Sequence, residues 1–260
     1  MNTIAFMTAN YVARETDWAM HGWGHGDRAT NERFRPLETY AERLDELFAT
    51  VRSLGFETID LWGAHLHPDW ATDEHLTIAS GLLAKHDLEV ATYAAWVDAG
   101  TIERACELAR GVATRVIGAG ASGELSDLVP VLRDHGVCLA IENHPERSPD
   151  ELLGKIATGD GTFAATVDTG WWATHGYDPA RAIEELGEHV RHVHLKDVRA
   201  AGEPHETCRW GEGVVDVRDC VLRLEALGYT GTLSVEHEPE DHDPSEECRS
   251  MLEELQGWLR

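Results

Sequence analysis

The sequence predicts an α/β protein with the (β/α)8 TIM-barrel fold. Eight short apolar runs alternate with amphipathic stretches, no GxGxxG turn follows the first run, and polar residues of catalytic type follow the last four runs. Alternating strands and helices indicate a parallel sheet, either closed into a barrel or doubly wound. A doubly wound sheet usually carries a glycine-rich phosphate turn after its first strand, whereas a barrel builds its active site at the C-terminal ends of its strands. The barrel is therefore favoured.

The eight strand candidates are bounded by turn residues and separated by helical patterns. They cover residues 3–8, 57–62, 88–96, 115–120, 136–143, 163–168, 189–196 and 231–238. Two connections, residues 9–36 and 197–213, are longer than a simple barrel requires, and we expect both to lie over the catalytic face. No linker rich in Pro, Gly or Ser interrupts the pattern, so one domain over residues 1–260 is expected.

Composition excludes several classes of protein. The 22 basic and 47 acidic residues give a net charge of -25, which would repel a nucleic-acid backbone. Five widely spaced cysteines without a CxxC pair indicate neither a disulfide framework nor a thiolate zinc site. The N-terminus does not resemble a secretory signal and no run approaches transmembrane length, so we expect a cytoplasmic protein without a membrane partner.

Four strand candidates end on a potential metal ligand. These are Glu142 in CLAIENH, Asp168 in AATVDTG, His194 in VRHVHLKD and Glu236 in LSVEHE. Taken singly, each could be a helix cap or a strand-end ion pair. Together, at successive strand ends, three carboxylates and one imidazole predict an oxygen-rich site for a divalent ion.

Strand alternation extends this prediction to neighbouring residues. Side chains two positions apart share one face of a strand, so Ala140 and His192 are expected one layer below the ligands. By the same rule, His144 and Lys196 are expected to project above them. The sequence therefore predicts a layered arrangement at the barrel mouth.

The motifs IENH, VDTGWW, HVHLKD, RWGEGVVD and SVEHEPE resemble the xylose isomerase-like TIM-barrel superfamily, the sugar phosphate isomerase/epimerase family, over essentially the whole chain. The resemblance implies one divalent ion, first Mn²⁺ and otherwise Mg²⁺, Co²⁺ or Zn²⁺, held by Glu142, Asp168, His194 and Glu236. It implies that the two glutamates also act as acid and base on a small carbohydrate. By analogy it implies homo-oligomers or association with a partner subunit.

One position departs from the family pattern. Ketose 3-epimerases of this superfamily usually have a histidine three residues after the aspartate, where this chain has Trp171, and the next histidine is His175. This departure argues against a specific ketose 3-epimerase. The DNA-repair relative, endonuclease IV, is disfavoured by the net charge of -25.

Three functions follow as hypotheses. The first is a metal-dependent sugar isomerase or epimerase that abstracts a proton next to a metal-bound carbonyl, with Glu142 and Glu236 as base and acid. The second is a metal-dependent lyase that cleaves 3-oxo-glycosides, of the C- or O-glycoside deglycosidase type, with His144 as its base. The third is a non-catalytic binding or partner subunit that retains the barrel.

Further candidates for substrate contact follow the strands or lie in the loops beyond them. Tryptophan rings stack on the C–H face of sugars, and His, Lys and Arg can bind hydroxyl or oxo groups. Each also has an ordinary structural explanation, since tryptophan commonly fills cores and Lys196 could pair with a nearby carboxylate. The predicted substrate-binding residues are His65, His67, Trp96, Trp171, Trp172, His175, Lys196 and Arg209.

Overall fold

Eight parallel strands form a closed barrel in the computed structural model, which describes residues 2–202 and 204–260. Around the barrel the strand order is β1-β10-β7-β6-β5-β4-β3-β2, which is sequential. The barrel strands are β1 (Thr3–Met7), β2 (Thr58–Trp62), β3 (Glu89–Ala94), β4 (Val116–Ala119), β5 (Cys138–Glu142), β6 (Phe163–Asp168), β7 (Val190–Leu195) and β10 (Thr232–Val235). The predicted (β/α)8 barrel is confirmed.

Helices lie between the strands and cover the outside of the barrel. In α2 the buried residues Tyr40, Leu44, Leu47, Phe48 and Val51 recur at helical spacing and form its inner face. The helices are α1 (Trp23–Phe34), α2 (Leu37–Ser53), α3 (Asp73–His86), α4 (Ile102–Gly111), α5 (Val129–His135), α6 (Pro149–Ile156), α7 (Thr169–Thr174), α8 (Pro179–Leu186), α9 (Val217–Ala226) and α10 (Ser245–Trp258). One continuous hydrophobic cluster joins most of these helices to the outward faces of the strands.

The first long connection contains helix α1, which the sequence did not predict. This connection lies near the C-terminal ends of the strands, because the Met20 amide donates a hydrogen bond of 3.1 Å to the Glu240 carbonyl beyond β10. The ring of Trp23 also lies 5.5 Å from that of Trp62, the last residue of β2. The placement agrees with the expectation that residues 9–36 lie over this face.

The second long connection folds back on itself as a small antiparallel hairpin. Its strands are β8 (Asp197–Val198) and β9 (Thr207–Cys208). The buried Asp197 carboxylate accepts hydrogen bonds of 2.9 to 3.0 Å from the amides of Val198, Gly211, Gly213 and Val215. These bonds fix the loop that follows β7, directly after His194 and Lys196.

Among the residues that the structure describes, no helix is long and apolar enough to cross a membrane.

Candidate metal centre and active site

Four predicted ligands converge at the barrel mouth. Glu142, Asp168 and His194 belong to the C-terminal ends of β5, β6 and β7, and Glu236 follows the last residue of β10. One ligand atom from each residue lies within 4.8 Å of the others. All four side chains are buried, with at most 6% of the residue surface exposed. The register pairs Asp168 with His194, which brings neighbouring strand ends level with one another.

Some of the potential ligand atoms of these four residues form no hydrogen bond. The Nδ1 atom of His194 lies 2.6 Å from Glu142 Oε1 and 3.3 Å from Glu236 Oε2. Asp168 Oδ2, His194 Nε2 and Glu236 Oε2 are buried and form no hydrogen bond within the described part of the chain, although the two carboxylate oxygens form ion pairs with Lys196. Buried polar atoms without partners are costly unless an ion or water satisfies them. Three carboxylates and one imidazole therefore fit a divalent cation of the Mn²⁺, Mg²⁺, Co²⁺ or Zn²⁺ type.

Asp168 is oriented by two sets of bonds. Its amide donates to Asn143 Oδ1 at 2.7 Å, and Asn143 Nδ2 donates back to the Asp168 carbonyl at 3.0 Å. Its Oδ1 atom caps α7 by accepting a 2.9 Å hydrogen bond from the Trp171 amide. One carboxylate oxygen is thus used for capping, and the other faces the cluster.

Lys196 lies inside the same cluster as a buried cation. Its Nζ atom is 3.0 Å from Asp168 Oδ2, 3.0 Å from Glu238 Oε2 and 3.3 Å from Glu236 Oε2. Burial alone would lower its pKa, but Asp168 and the two glutamates outweigh burial and raise the pKa well above the ordinary value. Lys196 is therefore charged and pairs with these carboxylates, whereas Glu238 was not predicted as part of the site.

The ionisable residues of the cluster have pKa values that are shifted in different directions. Burial raises the pKa of a carboxyl group, yet for Glu142 the neighbouring His144 and His194 outweigh burial and hold the pKa far below its usual value. For Glu236, burial prevails over Lys196 and His194 and raises the pKa well above the usual range. Burial opposes protonation of His194, but Glu236 and Glu142 raise its pKa to about 10. At neutral pH these shifts favour a protonated His194 imidazole beside an ionised Glu142.

A second polar layer supports the first from below. Asp60 on β2 is fully buried, and its Oδ2 atom lies 2.9 Å from His192 Nε2 and 3.8 Å from His194 Nε2. Thr92 on β3 donates a 2.8 Å hydrogen bond to Asp60 Oδ1. The predicted position of His192 beneath His194 agrees with these contacts. Asp60 was missed, although a lone charge within the apolar strand TIDLW was a usable signal.

Aromatic rings flank the ionisable cluster. His144 Nε2 lies 3.3 Å from Glu142 Oε2, and its ring lies 4.9 Å from that of Trp171. His175 Nε2 lies 2.8 Å from the His144 carbonyl oxygen. His205, from the hairpin loop, stacks on the other side of Trp171 at 4.0 Å with an interplanar angle of 9°. The structure thus brings three predicted residues together and adds His205, which the sequence did not indicate.

The predicted tryptophans occupy different environments. Trp96 follows β3 with 52% of its surface exposed. Trp172 is completely buried and packs against Tyr177 in the core. A side chain with no accessible surface cannot line a binding cleft, so the expected substrate contact of Trp172 is corrected to a core role.

Two further residues predicted to bind substrate, His65 and His67, form contacts outside the ligand cluster. His65 is buried against Phe34 with its Nδ1 atom 3.1 Å from Thr8 Oγ1, and burial lowers its pKa to about 3. His67 Nδ1 accepts a hydrogen bond of 3.1 Å from the Asp69 amide.

Arg209 lies in the connection after β9 and is directed toward α10. It donates a hydrogen bond of 2.9 Å to Ser250 and forms an ion pair with Glu254. The described contacts of His65, His67 and Arg209 do not include the ligand cluster, and their substrate roles stay predictions.

A family model and a relative each match part of the chain. A family model described as a xylose isomerase-like TIM barrel matches residues 120–260, more than half of the chain. An uncharacterised protein from Methanocaldococcus jannaschii is 29% identical over 123 residues, which cover 44% of this chain and 41% of that protein. The match therefore spans less than half of the relative's length.

Solved structures with the same fold cover nearly all of the chain. A probable 3-DHS dehydratase involved in petrobactin synthesis from Bacillus anthracis superimposes with a TM-score of 0.72 at 14% identity, covering 98% of this chain and 99% of that one. A D-allulose 3-epimerase from Methylomonas sp. gives 0.69 at 14% identity, covering 99% and 98%. A xylose isomerase domain protein from Planctomyces limnophilus gives 0.71 at 20% identity, covering 81% and 91%. Identities this low show a shared fold.

Proposed function

This chain belongs to the xylose isomerase-like TIM-barrel family, and we propose that it is a divalent-metal-dependent enzyme that isomerises or epimerises a sugar or sugar derivative. The observation that carries the proposal is the buried group Glu142, Asp168, His194 and Glu236, whose ligand atoms all lie within 4.8 Å of one another. Three of these atoms, Asp168 Oδ2, His194 Nε2 and Glu236 Oε2, are buried and form no hydrogen bond, and the two carboxylate oxygens among them are paired with the Lys196 ammonium, so the group has the buried donor atoms that a cation site needs.

The four residues would hold the ion through three carboxylates and one imidazole. A bound divalent ion would supply the positive charge that stabilises an oxyanion when a carbon next to a carbonyl loses its proton. Glu142 and Glu236 come from strands separated by β6 and β7, on either side of the other two ligands. We assign these glutamates as the pair that removes and returns the proton.

Other residues of the chain would bind and orient the substrate. Lys196 is a buried ammonium paired with Asp168, Glu236 and Glu238, and a substrate hydroxyl or oxo group that displaced one of these carboxylates would accept a hydrogen bond from it. Trp171 is partly exposed and contacts both His144 and His205, so its accessible part can contact the C–H groups of a sugar. Structural neighbours such as the D-allulose 3-epimerase and an L-ribulose 3-epimerase support a small carbohydrate as the substrate class.

Metal analysis and isotope exchange test the proposal together. Protein purified without chelator should contain bound divalent metal and should wash deuterium from the solvent into carbon of a ketose or aldose substrate. Glu142→Gln and Glu236→Gln should each lower exchange by at least about a hundredfold, the range of lost acid–base catalysis. The matched control is Glu253→Gln, because Glu253 is an exposed glutamate on α10.

Two outcomes would contradict the proposal. Metal content and exchange that survive both active-site substitutions would show that the ligand assignment is wrong. If metal-loaded protein incorporates no deuterium into any ketose, aldose or oxo-glycoside, the alternative of a binding or partner subunit is favoured.

A second function, a lyase, is favoured by the position of His144. The imidazole is partly exposed, lies 3.3 Å from Glu142 Oε2 and is not one of the four clustered ligands, so it can take the proton from carbon and pass it to the leaving group during an elimination. The dehydratase named among the structural neighbours supports elimination chemistry on this fold. Product analysis separates the two functions: a lyase would release an aglycone or form an unsaturated sugar, and His144→Asn should then lower exchange and turnover together.

A further inference from the structure

A second group of potential ligands lies outside the barrel mouth. His237 follows the ligand Glu236, His242 lies five residues further along the same segment, and Glu247 is in the first turn of α10. The Oε2 atom of Glu247 is 2.9 Å from His237 Nε2 and 2.9 Å from His242 Nε2. All three ligand atoms lie within 4.8 Å of one another, and none belongs to the four-ligand cluster.

Both imidazoles are oriented through their other ring nitrogen. His242 Nδ1 lies 2.7 Å from the Asp241 carboxylate, and His237 Nδ1 lies 3.2 Å from Thr207 Oγ1. The 2.9 Å contacts to Glu247 need a proton on each Nε2, and an ion that displaced these protons would leave each Nδ1–H donating to its oxygen and each Nε2 lone pair directed toward Glu247. A histidine whose Nδ1 donates to an oxygen while its Nε2 binds the ion is the usual arrangement around a metal.

We propose that His237, His242 and Glu247 bind a second divalent ion, of the class that prefers imidazole with carboxylate, such as Zn²⁺. Three protein ligands leave a further coordination position for water. His237 is buried, whereas His242 is exposed with a side-chain accessibility of 45%, so the ion can enter from solvent.

The predicted role of this ion is structural. It would tie the segment after β10 to the start of α10, and that segment also carries Glu236 and Glu238 into the barrel mouth. The hairpin strand β9 contributes Thr207, which contacts His237 and also accepts a 3.1 Å hydrogen bond from the Glu238 amide. The second ion would therefore join three elements that border the active site.

Counting bound zinc tests the proposal on the full chain. Protein stripped with chelator and equilibrated with Zn²⁺ alone should retain two ions per chain after gel filtration, measured by plasma mass spectrometry. His242→Ala and Asp168→Asn should each retain one, and the double variant none. His189→Ala removes an exposed imidazole elsewhere and should retain two. Asp241→Asn should lower the affinity for the second ion by about ten- to a hundredfold, as expected for loss of an orienting carboxylate.

The same counts separate this site from the proposed active site. One ion that persists in Asp168→Asn and disappears in the double variant supports the second site whatever the fate of the four-ligand cluster. Two ions in His242→Ala, or a wild-type chain whose single ion is lost in Asp168→Asn, would overturn the proposal and leave the group as a hydrogen-bonded ion pair. Glu247→Gln provides an independent variant with the same expected loss.

Discussion

His194 shows how one residue links metal binding to pH. Its Nδ1 atom lies 2.6 Å from Glu142 Oε1, and the flanking glutamates outweigh burial to raise its pKa to about 10. An imidazole must be deprotonated to bind a metal. We therefore predict that Mn²⁺ binding below pH 10 releases a proton from His194, so that affinity rises about tenfold per pH unit for that proton.

Calorimetric titration of Mn²⁺ in two buffers with different ionisation enthalpies measures this release. The Asp168→Asn variant supplies the background, because it lacks one of the four ligands. An apparent affinity that stays constant between about pH 6.5 and 8.5 would contradict the assignment of His194 as a ligand.

Asp60 is predicted to act as a positioning residue for His194. Its buried carboxylate lies 2.9 Å from His192 Nε2 and 3.8 Å from His194 Nε2. Asp60→Asn removes the charge that orients both rings, and we expect metal affinity to fall about ten- to a hundredfold. Competition with a fluorescent chelator measures this affinity without relying on turnover.

The matched control is Asp134→Asn, at an exposed position at the end of α5. If Asp60→Asn binds metal as tightly as this control, the lower layer has only a packing role.

At the scale of elements, the hairpin β8–β9 depends on a single buried carboxylate. Asp197 accepts four backbone hydrogen bonds, whereas Asp216 accepts one at the N-terminus of α9. Asp197→Ala leaves buried amides without partners, and we expect it to lower the free energy of unfolding by about 3 kcal/mol or more. Asp216→Ala should cost about 1 kcal/mol, the usual value for a lost cap.

Chemical denaturation measures both losses, and hydrogen exchange locates them. Faster exchange in Asp197→Ala should be concentrated in residues 197–215. Equal losses in the two variants would show that the four bonds to Asp197 do not act together.

Helix α7 explains why one tryptophan assignment was wrong. The sequence placed Trp171 and Trp172 together at the mouth because both follow Asp168. The helix begins at Thr169, so consecutive side chains are rotated by about 100° and only one can face the cleft. Trp171 contacts His144 and His205, while Trp172 packs in the core. The sequence of two adjacent tryptophans does not reveal which of the two side chains packs in the core.

The sequence predicted the barrel and the convergence of its four strand-end ligands, because both follow from strand alternation and parallel topology. It did not predict α1, whose glycines at 24 and 26 weaken a helical pattern, or the two-residue strands of the hairpin. Glu238 and His205 were missed because their roles depend on distances between distant segments, whereas Asp60 had a local signal, a lone charge within an apolar strand. The single domain over residues 1–260 stays a prediction.

At the scale of the whole molecule, the active-site charges are concentrated in the barrel centre. Four buried carboxyl groups, Glu142, Asp168, Glu236 and Glu238, share the cations Lys196 and His194. The two cations balance Glu142 and Asp168, whereas burial raises the pKa of Glu236 and of Glu238 and favours their protonated forms. A divalent ion would take the place of the protons on His194 and Glu236, so we expect metal binding to stabilise the entire fold.

Thermal unfolding should report that stabilisation directly. A free ion concentration of about 100 times its dissociation constant adds about 2.7 kcal/mol, which for a chain of this size raises Tm by about 5–10 °C. Scanning calorimetry of His242→Ala with Mn²⁺ and with chelator isolates the four-ligand cluster from the proposed second site. Adding Asp168→Asn to that variant should abolish the shift, because the ion then loses a buried carboxylate. A shift that persists in the double variant would mean that Mn²⁺ stabilises the barrel from somewhere other than its mouth.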